Sequence, residues 1–261
     1  MLEALVALVA GLLIGSFLNV CIYRMPRDLS VVRPRSFCPA CEHPIAWYDN
    51  IPIASFAALG GRCRHCGKPI PMRYALVEAL TAALFVAVAL IHGPTLVSVA
   101  LCVFCALMVG LVFSDLEERI LPDEFTLGGI ALGLLFAYVA PFQAGITNLF
   151  LPQWNHRWLS LVEAVVAALL PALLLWGLAA LYQKLRHKEG LGLGDVKMVA
   201  MIGAFLGLQA AVATVMVGSL LGSLIGLAYI HLTKKDAATY ELPFGSFLGV
   251  GAILVALIVK R

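Results

Sequence analysis

Two sets of residues in this chain of 261 have the types and spacing to do chemistry. The first is a pair of aspartates. Asp115 lies in Phe113-Ser114-Asp115-Leu116, and Asp195 closes Gly192-Leu193-Gly194-Asp195. Two carboxylates held close together cannot both ionise easily, so they share a proton. The ionised one then acts as general base on water and the protonated one polarises a carbonyl. The roles exchange as the amine leaves. That is the chemistry of peptide hydrolysis by activated water. The bland alternative, a solvated helix end, suits Asp123 and Glu124 better, because they follow Pro122 where an acidic first turn complements the helix dipole. Glu117 and Glu118 read as solvated loop charges.

The second set is Cys38, Cys41, Cys63 and Cys66, two C-x-x-C pairs separated by 21 residues. Four thiolates in two knuckles suit tetrahedral zinc. A site closed by four cysteines has no open position for water, so the expected role is structural. A polar segment of about 50 residues has little core of its own and gains from a metal staple. Cys21, Cys102 and Cys105 fall in apolar runs and read as small buried side chains.

The elements that must position these groups are membrane spans. Hydrophobic residues make up 62% of the chain and charged residues 13%, and mean hydropathy is +0.96. A soluble domain carries about 25% charged residues. At about 20 apolar residues per span, the length allows roughly eight. The apolar runs are Leu2–Ile22, Tyr74–Ile91, Thr95–Phe113, Glu124–Ala140, Leu159–Tyr182, Val196–Gly207, Ala210–Ile230 and Phe247–Val259. The expected fold is therefore all-α and polytopic. It comprises a first span over 1–22, a zinc-binding segment over 23–73 and a transmembrane protease domain over 74–261. The first run lacks a basic start and a small-x-small cleavage site, so it reads as a retained span. Of the 18 Lys and Arg, all but Arg157, Lys260 and Arg261 fall in the first, third, fifth and seventh loops. The positive-inside rule puts those loops, both aspartates and the cysteines in the cytosol and both termini outward. Nothing in the pattern points to nucleic acid.

With those residues in hand, the chain resembles the type IV prepilin peptidases. The likeness rests on Gly15-Ser16-Phe17-Leu18-Asn19-Val20 with Tyr23-Arg24 and Pro26, and on the paired C-x-x-C knuckles. It rests also on Arg73-Tyr74 with Val77-Glu78, on Asp115 followed by Ile120-Leu121-Pro122-Asp123, and on Gly192-Leu193-Gly194-Asp195 with Lys197. The resemblance implies that Asp115 and Asp195 are the catalytic pair. It implies that the substrate is the leader of a type IV prepilin or type II secretion pseudopilin, cut after a glycine at the cytosolic face of the bacterial inner membrane. It also implies methylation of the new N-terminus from S-adenosylmethionine, an activity tied to the cysteine loop. The connector from Pro141 to Trp158 is longer than the family pattern leads one to expect.

Other polar groups near the spans are candidate contacts for substrate or cofactor. Glu78 is placed to meet Arg24, Arg73 or substrate. Lys197 is placed to tune the aspartates or bind substrate backbone, beside Gly192 and Gly194. Asn19 and Ser16 are placed to hydrogen-bond between helices, and Glu163 reads as interfacial. Two other functions use the same residues: a transporter with the carboxylates as cation sites, and a membrane methyltransferase or zinc-dependent assembly factor without proteolysis. A transporter places such groups near the midplane within internal repeats, whereas here they fall at one membrane edge.

Overall fold

The computed structural model describes residues 1–142, 147–150, 153–187, 191–233 and 242–258. Pro152, Lys188, Lys234, Lys235 and the terminal Lys260–Arg261 pair lie outside them, as do parts of the long connector. The helices are α1 (Leu2–Arg24), α2 (Ala54–Ala58), α3 (Arg73–His92), α4 (Leu96–Glu118), α5 (Asp123–Val139), α6 (Thr147–Phe150), α7 (His156–Arg186), α8 (Leu193–Thr233) and α9 (Phe244–Ile258). No strand is present among the described residues, only isolated bridges at Phe37–Pro44 and Arg62–Pro69. All eight apolar runs are helical over their described residues, apart from the end residues Thr95, Ala140 and Gly207. Five helices, α1, α3, α4, α7 and α8, are long and apolar enough to cross a bilayer. A helix satisfies its own backbone polar groups, which lipid cannot do. The exposed side chains of α7, Leu169, Leu170, Leu173 and Leu174 among them, form an apolar face suited to lipid.

The chain divides into two compact units, Met1–Ser98 and Val99–Arg261. In the first, α1 packs along α3. The approach is close enough that a Cβ on Gly11 would stand 2.5 Å from the Ala82 backbone, and one on Gly15 would stand 2.7 Å from Glu78 Cα. Two glycines four apart thus let the helices meet. Asn19 Nδ2 adds a hydrogen bond to the Tyr74 carbonyl at 3.0 Å, an interhelical contact of the kind expected for it.

In the second unit, α8 packs against α5, α7 and α9. Phe205 of α8 lies 5.3 Å from Phe104 of α4 and 6.1 Å from Phe136 of α5, ring centre to ring centre. The two apolar runs over Val196–Gly207 and Ala210–Ile230 join through Gly207, whose φ of 81° and ψ of 175° interrupt α8. Only glycine occupies that region readily.

Two local readings change. α4 continues helical to Glu118, so Asp115 sits on its last turns and not in a loop after the span. The apolar run ended there, but backbone hydrogen bonding did not. Glu163 is 3% exposed, not interfacial. Its Oε2 accepts from the backbone N–H and hydroxyl of Thr147 at 3.1 and 3.0 Å. The connector supplies the donors that permit its burial.

Candidate functional site

Asp115 lies on the last turns of α4 and is 6% exposed. Its Oδ2 accepts two hydrogen bonds from one residue, the backbone N–H and the hydroxyl of Ser246, each 2.6 Å. The same hydroxyl lies 3.2 Å from the Val112 carbonyl. Ser246 belongs to the first turn of α9, where backbone N–H groups have no intrahelical acceptor and the dipole favours an anion. Gly245 makes this approach possible. A Cβ there would stand 3.2 Å from Asp115 Cγ and Oδ2 and 3.1 Å from Leu121.

Asp195 sits in the first turn of α8 and is half-buried. The Gly192 N–H donates to its carboxylate. An acid at the third helical position reaching back to the residue before the helix is half of a capping box. The two glycines therefore do different things. Gly192 supplies the donor. Gly194 leaves room for Leu121, which a Cβ would meet at 3.1 Å. Leu121 contacts both Gly194 and Gly245, so it lies between the segments that carry the two carboxylates. Asp195 feels the charge of Asp115. Residues 80 apart in sequence thus share one electrostatic site.

Lys197 Nζ pairs with Asp123 Oδ1 at 2.5 Å, joining the N-terminal ends of α8 and α5. Asp123 is thus a partner of Lys197 as well as the acidic start of α5. Glu78 is buried in α3 and accepts from the Ile53 N–H at 2.7 Å and from the Ser16 side chain. Ile53 has φ of 59°, an unfavourable value for a β-branched residue. Arg24 is not paired with Glu78. It donates to the Ser30 and Arg35 carbonyls at 2.9 and 3.3 Å.

The four cysteine sulfurs lie within 4.8 Å of one another, with Cys38 Sγ and Cys66 Sγ 4.0 Å apart. Tetrahedral zinc with bonds of about 2.3 Å needs sulfurs roughly 3.8 Å apart, so the donor set fits that ion. The knuckles are built alike. In Ser36–Ile45, Cys38 N–H bonds His43 O, Glu42 N–H bonds Cys38 O and Ile45 N–H bonds Ser36 O. In Gly61–Ile70, the bonds Cys63 to Lys68, Gly67 to Cys63 and Ile70 to Gly61 repeat that pattern. Glu42 and Gly67 both take positive φ, 58° and 69°. His43 and His65 stack at 4.1 Å between the knuckles. The N–H groups of Cys66 and His65 hold the Cys63 thiol down at about 7. At Cys41, the His43 N–H pulls downward, but burial and hydrogen bonds with the other three thiols push the group up to about 11. Arg64 forms a bidentate pair with Asp49 at 2.8 and 2.7 Å and holds that carboxyl below its usual range.

Ser246 and Gly245 are the residues that sequence reasoning missed. Their signal is faint, a Pro-Phe-Gly-Ser stretch opening the last apolar run.

Residues 9–92 match the model of the bacterial peptidase A24 N-terminal domain, and residues 102–227 match that of the type IV leader peptidase family. A protein of Aeromonas hydrophila named prepilin leader peptidase/N-methyltransferase is 36% identical, over 95% of this chain and 88% of its own length. One of Myxococcus xanthus with the same name is 39% identical over 92% and 67%. One of Klebsiella pneumoniae, also so named, is 38% identical over 80% and 88%. No solved structure matches the chain. The likeness spans both units, and the chain belongs to the type IV leader peptidase family.

Proposed function

We propose that Asp115 and Asp195 form the water-activating dyad of a membrane endopeptidase that removes leader peptides from type IV prepilins or type II secretion pseudopilins. The observation that carries this reading is the packing of Leu121 against both Gly194, beside Asp195, and Gly245, which lies against the Asp115 carboxylate. Asp115 is anchored on one oxygen, Oδ2, by Ser246. One carboxylate takes the proton of the attacking water while the other donates to the scissile carbonyl oxygen. The C–N bond breaks as the amine nitrogen receives a proton.

The chain is a bacterial membrane protein with peptidase and methyltransferase relatives. The loop charges favour an arrangement with the aspartates and cysteines at the cytosolic face of the inner membrane and the termini outward, and the family resemblance implies cleavage after a glycine. The four-cysteine cluster would hold structural zinc between residues 23 and 73, beside a transmembrane protease region over 74–261. N-methylation of the new N-terminus would use S-adenosylmethionine. Among the described residues no strand is present to build a glycine-turn nucleoside cradle. Gly192, Gly194, Lys197, Glu78, Asn19 and Arg24 are the further candidate contacts for substrate or cofactor.

The test is cleavage of a prepilin whose leader ends in glycine, by protein reconstituted in liposomes and followed by mass spectrometry. Wild type should cut, and Asp115→Asn and Asp195→Asn should each lose at least about a thousandfold while remaining folded. Normal cutting by either variant removes the dyad.

A further inference from the structure

In the first unit a cavity of about 380 Å³ opens between α1 and the segment of residues 31–50. Neither the dyad nor the cysteine cluster uses it. Its α1 wall is a stripe of Leu13, Phe17, Val20 and Arg24. Spacings of four, three and four put these residues on one helical face. The stripe runs about 16 Å along the axis. It is apolar within the span and cationic at the span's last residue. The facing segment contributes Arg35 and Trp47.

No Asp or Glu lines this cavity. Arg24 is 5% exposed, and its guanidinium meets backbone carbonyls and the Phe37 ring. Neither Arg24 nor Arg35 has a carboxylate partner among the described residues. A buried guanidinium without an anion is costly, and the exposed Arg35 on the facing segment adds a like charge to the same cavity. An anionic group attached to something long and apolar would complement both features of this lining. A water-soluble anion would satisfy the arginines but leave Leu13, Phe17 and Val20 unused.

We propose that this cavity binds one anionic phospholipid. Its phosphate lies between Arg24 and Arg35, an acyl chain follows Leu13, Phe17 and Val20, and Trp47 sits at headgroup level. Basic pockets at span ends and interfacial indoles both suit that ligand. The inference is independent of the peptidase reading.

The test uses the full chain in nanodiscs of phosphatidylcholine with a minor fraction of phosphatidylglycerol, then detergent extraction and native mass spectrometry. Wild type should retain one phosphatidylglycerol per chain in preference to phosphatidylcholine. Arg35→Gln should weaken that retention roughly fivefold. Val32→Glu, which places a carboxylate beside the arginines, should weaken it at least as much. Both positions are exposed, Val32 at 78%, so the fold survives, as helicity and metal content would verify. Equal retention of the two lipids, or unchanged retention in both variants, overturns the proposal. So does displacement of the lipid by inorganic phosphate, S-adenosylmethionine or a prepilin peptide, each of which would make the cavity another ligand's site.

Discussion

Ser246 donates from both its backbone N–H and its hydroxyl to a single oxygen of Asp115, each at 2.6 Å. One carboxylate of the proposed dyad is thereby pinned, while the other has Gly192 as its backbone donor. Charge-assisted bonds of this kind are worth about 1.5–3 kcal/mol each.

Replacing the hydroxyl should therefore cost rate more than binding. We expect Ser246→Ala to lower kcat for prepilin cleavage about tenfold with KM nearly unchanged, and Ser246→Thr to restore most of it. Steady-state kinetics in liposomes checks this. An equal loss in Ala and Thr variants would point to packing in place of the hydrogen bond.

Gly245 offers a geometric counterpart. A methyl group there meets Asp115 and Leu121 at 3.1–3.2 Å, so the carboxylate or the loop must shift by a few tenths of an ångström. Misplacement of reacting groups is expensive. Gly245→Ala should lose about a hundredfold in cleavage while thermal stability falls by only a few degrees. A fully active Gly245→Ala protein would show that Asp115 tolerates displacement.

The thiols make a prediction about order. With metal stripped, Cys63 at about 7 is substantially thiolate at neutral pH, whereas Cys41 at about 11 is not. Reactivity follows the thiolate. Iodoacetamide at pH 7 should label Cys63 well ahead of Cys41, and bound zinc should protect both. Peptide mapping after a short pulse reads the sequence of labelling directly.

Acid should loosen the second knuckle through Asp49. Its folded pKa is depressed by Arg64, so its contribution is present above the ordinary aspartate range and is lost as pH falls through the lowered value. Asp49→Asn should release zinc faster at neutral pH, measured with a chromogenic chelator. It should also abolish the part of the acid sensitivity that lies below the ordinary aspartate range. Identical release rates in wild type and variant would confine the Arg64–Asp49 pair to the surface.

What was legible in the sequence was what covalent spacing encodes. Gly192-x-Gly194-Asp195 and the two C-x-x-C knuckles carry their geometry within a few residues, and the apolar runs fix the helices. Ser246 was not legible because it lies 131 residues from Asp115, and an ordinary serine at a helix start carries no mark of its partner. Glu163 was misread for a related reason. Its position near a span end suggested water, while Thr147, which lets it be buried, arrives from another segment. The extension of α4 past Ser114 was hidden because hydropathy falls before helical hydrogen bonding does.

The interruption at Gly207 bears on how force travels. A continuous α8 of 41 residues would be a rod of about 60 Å, and any push on its far end would swing Asp195. With the ladder broken, the portion bearing Asp195 and the portion where Gly218 packs on Leu248 of α9 are mechanically separate levers. The two torsions of that one residue, Gly207, set the angle between the two portions.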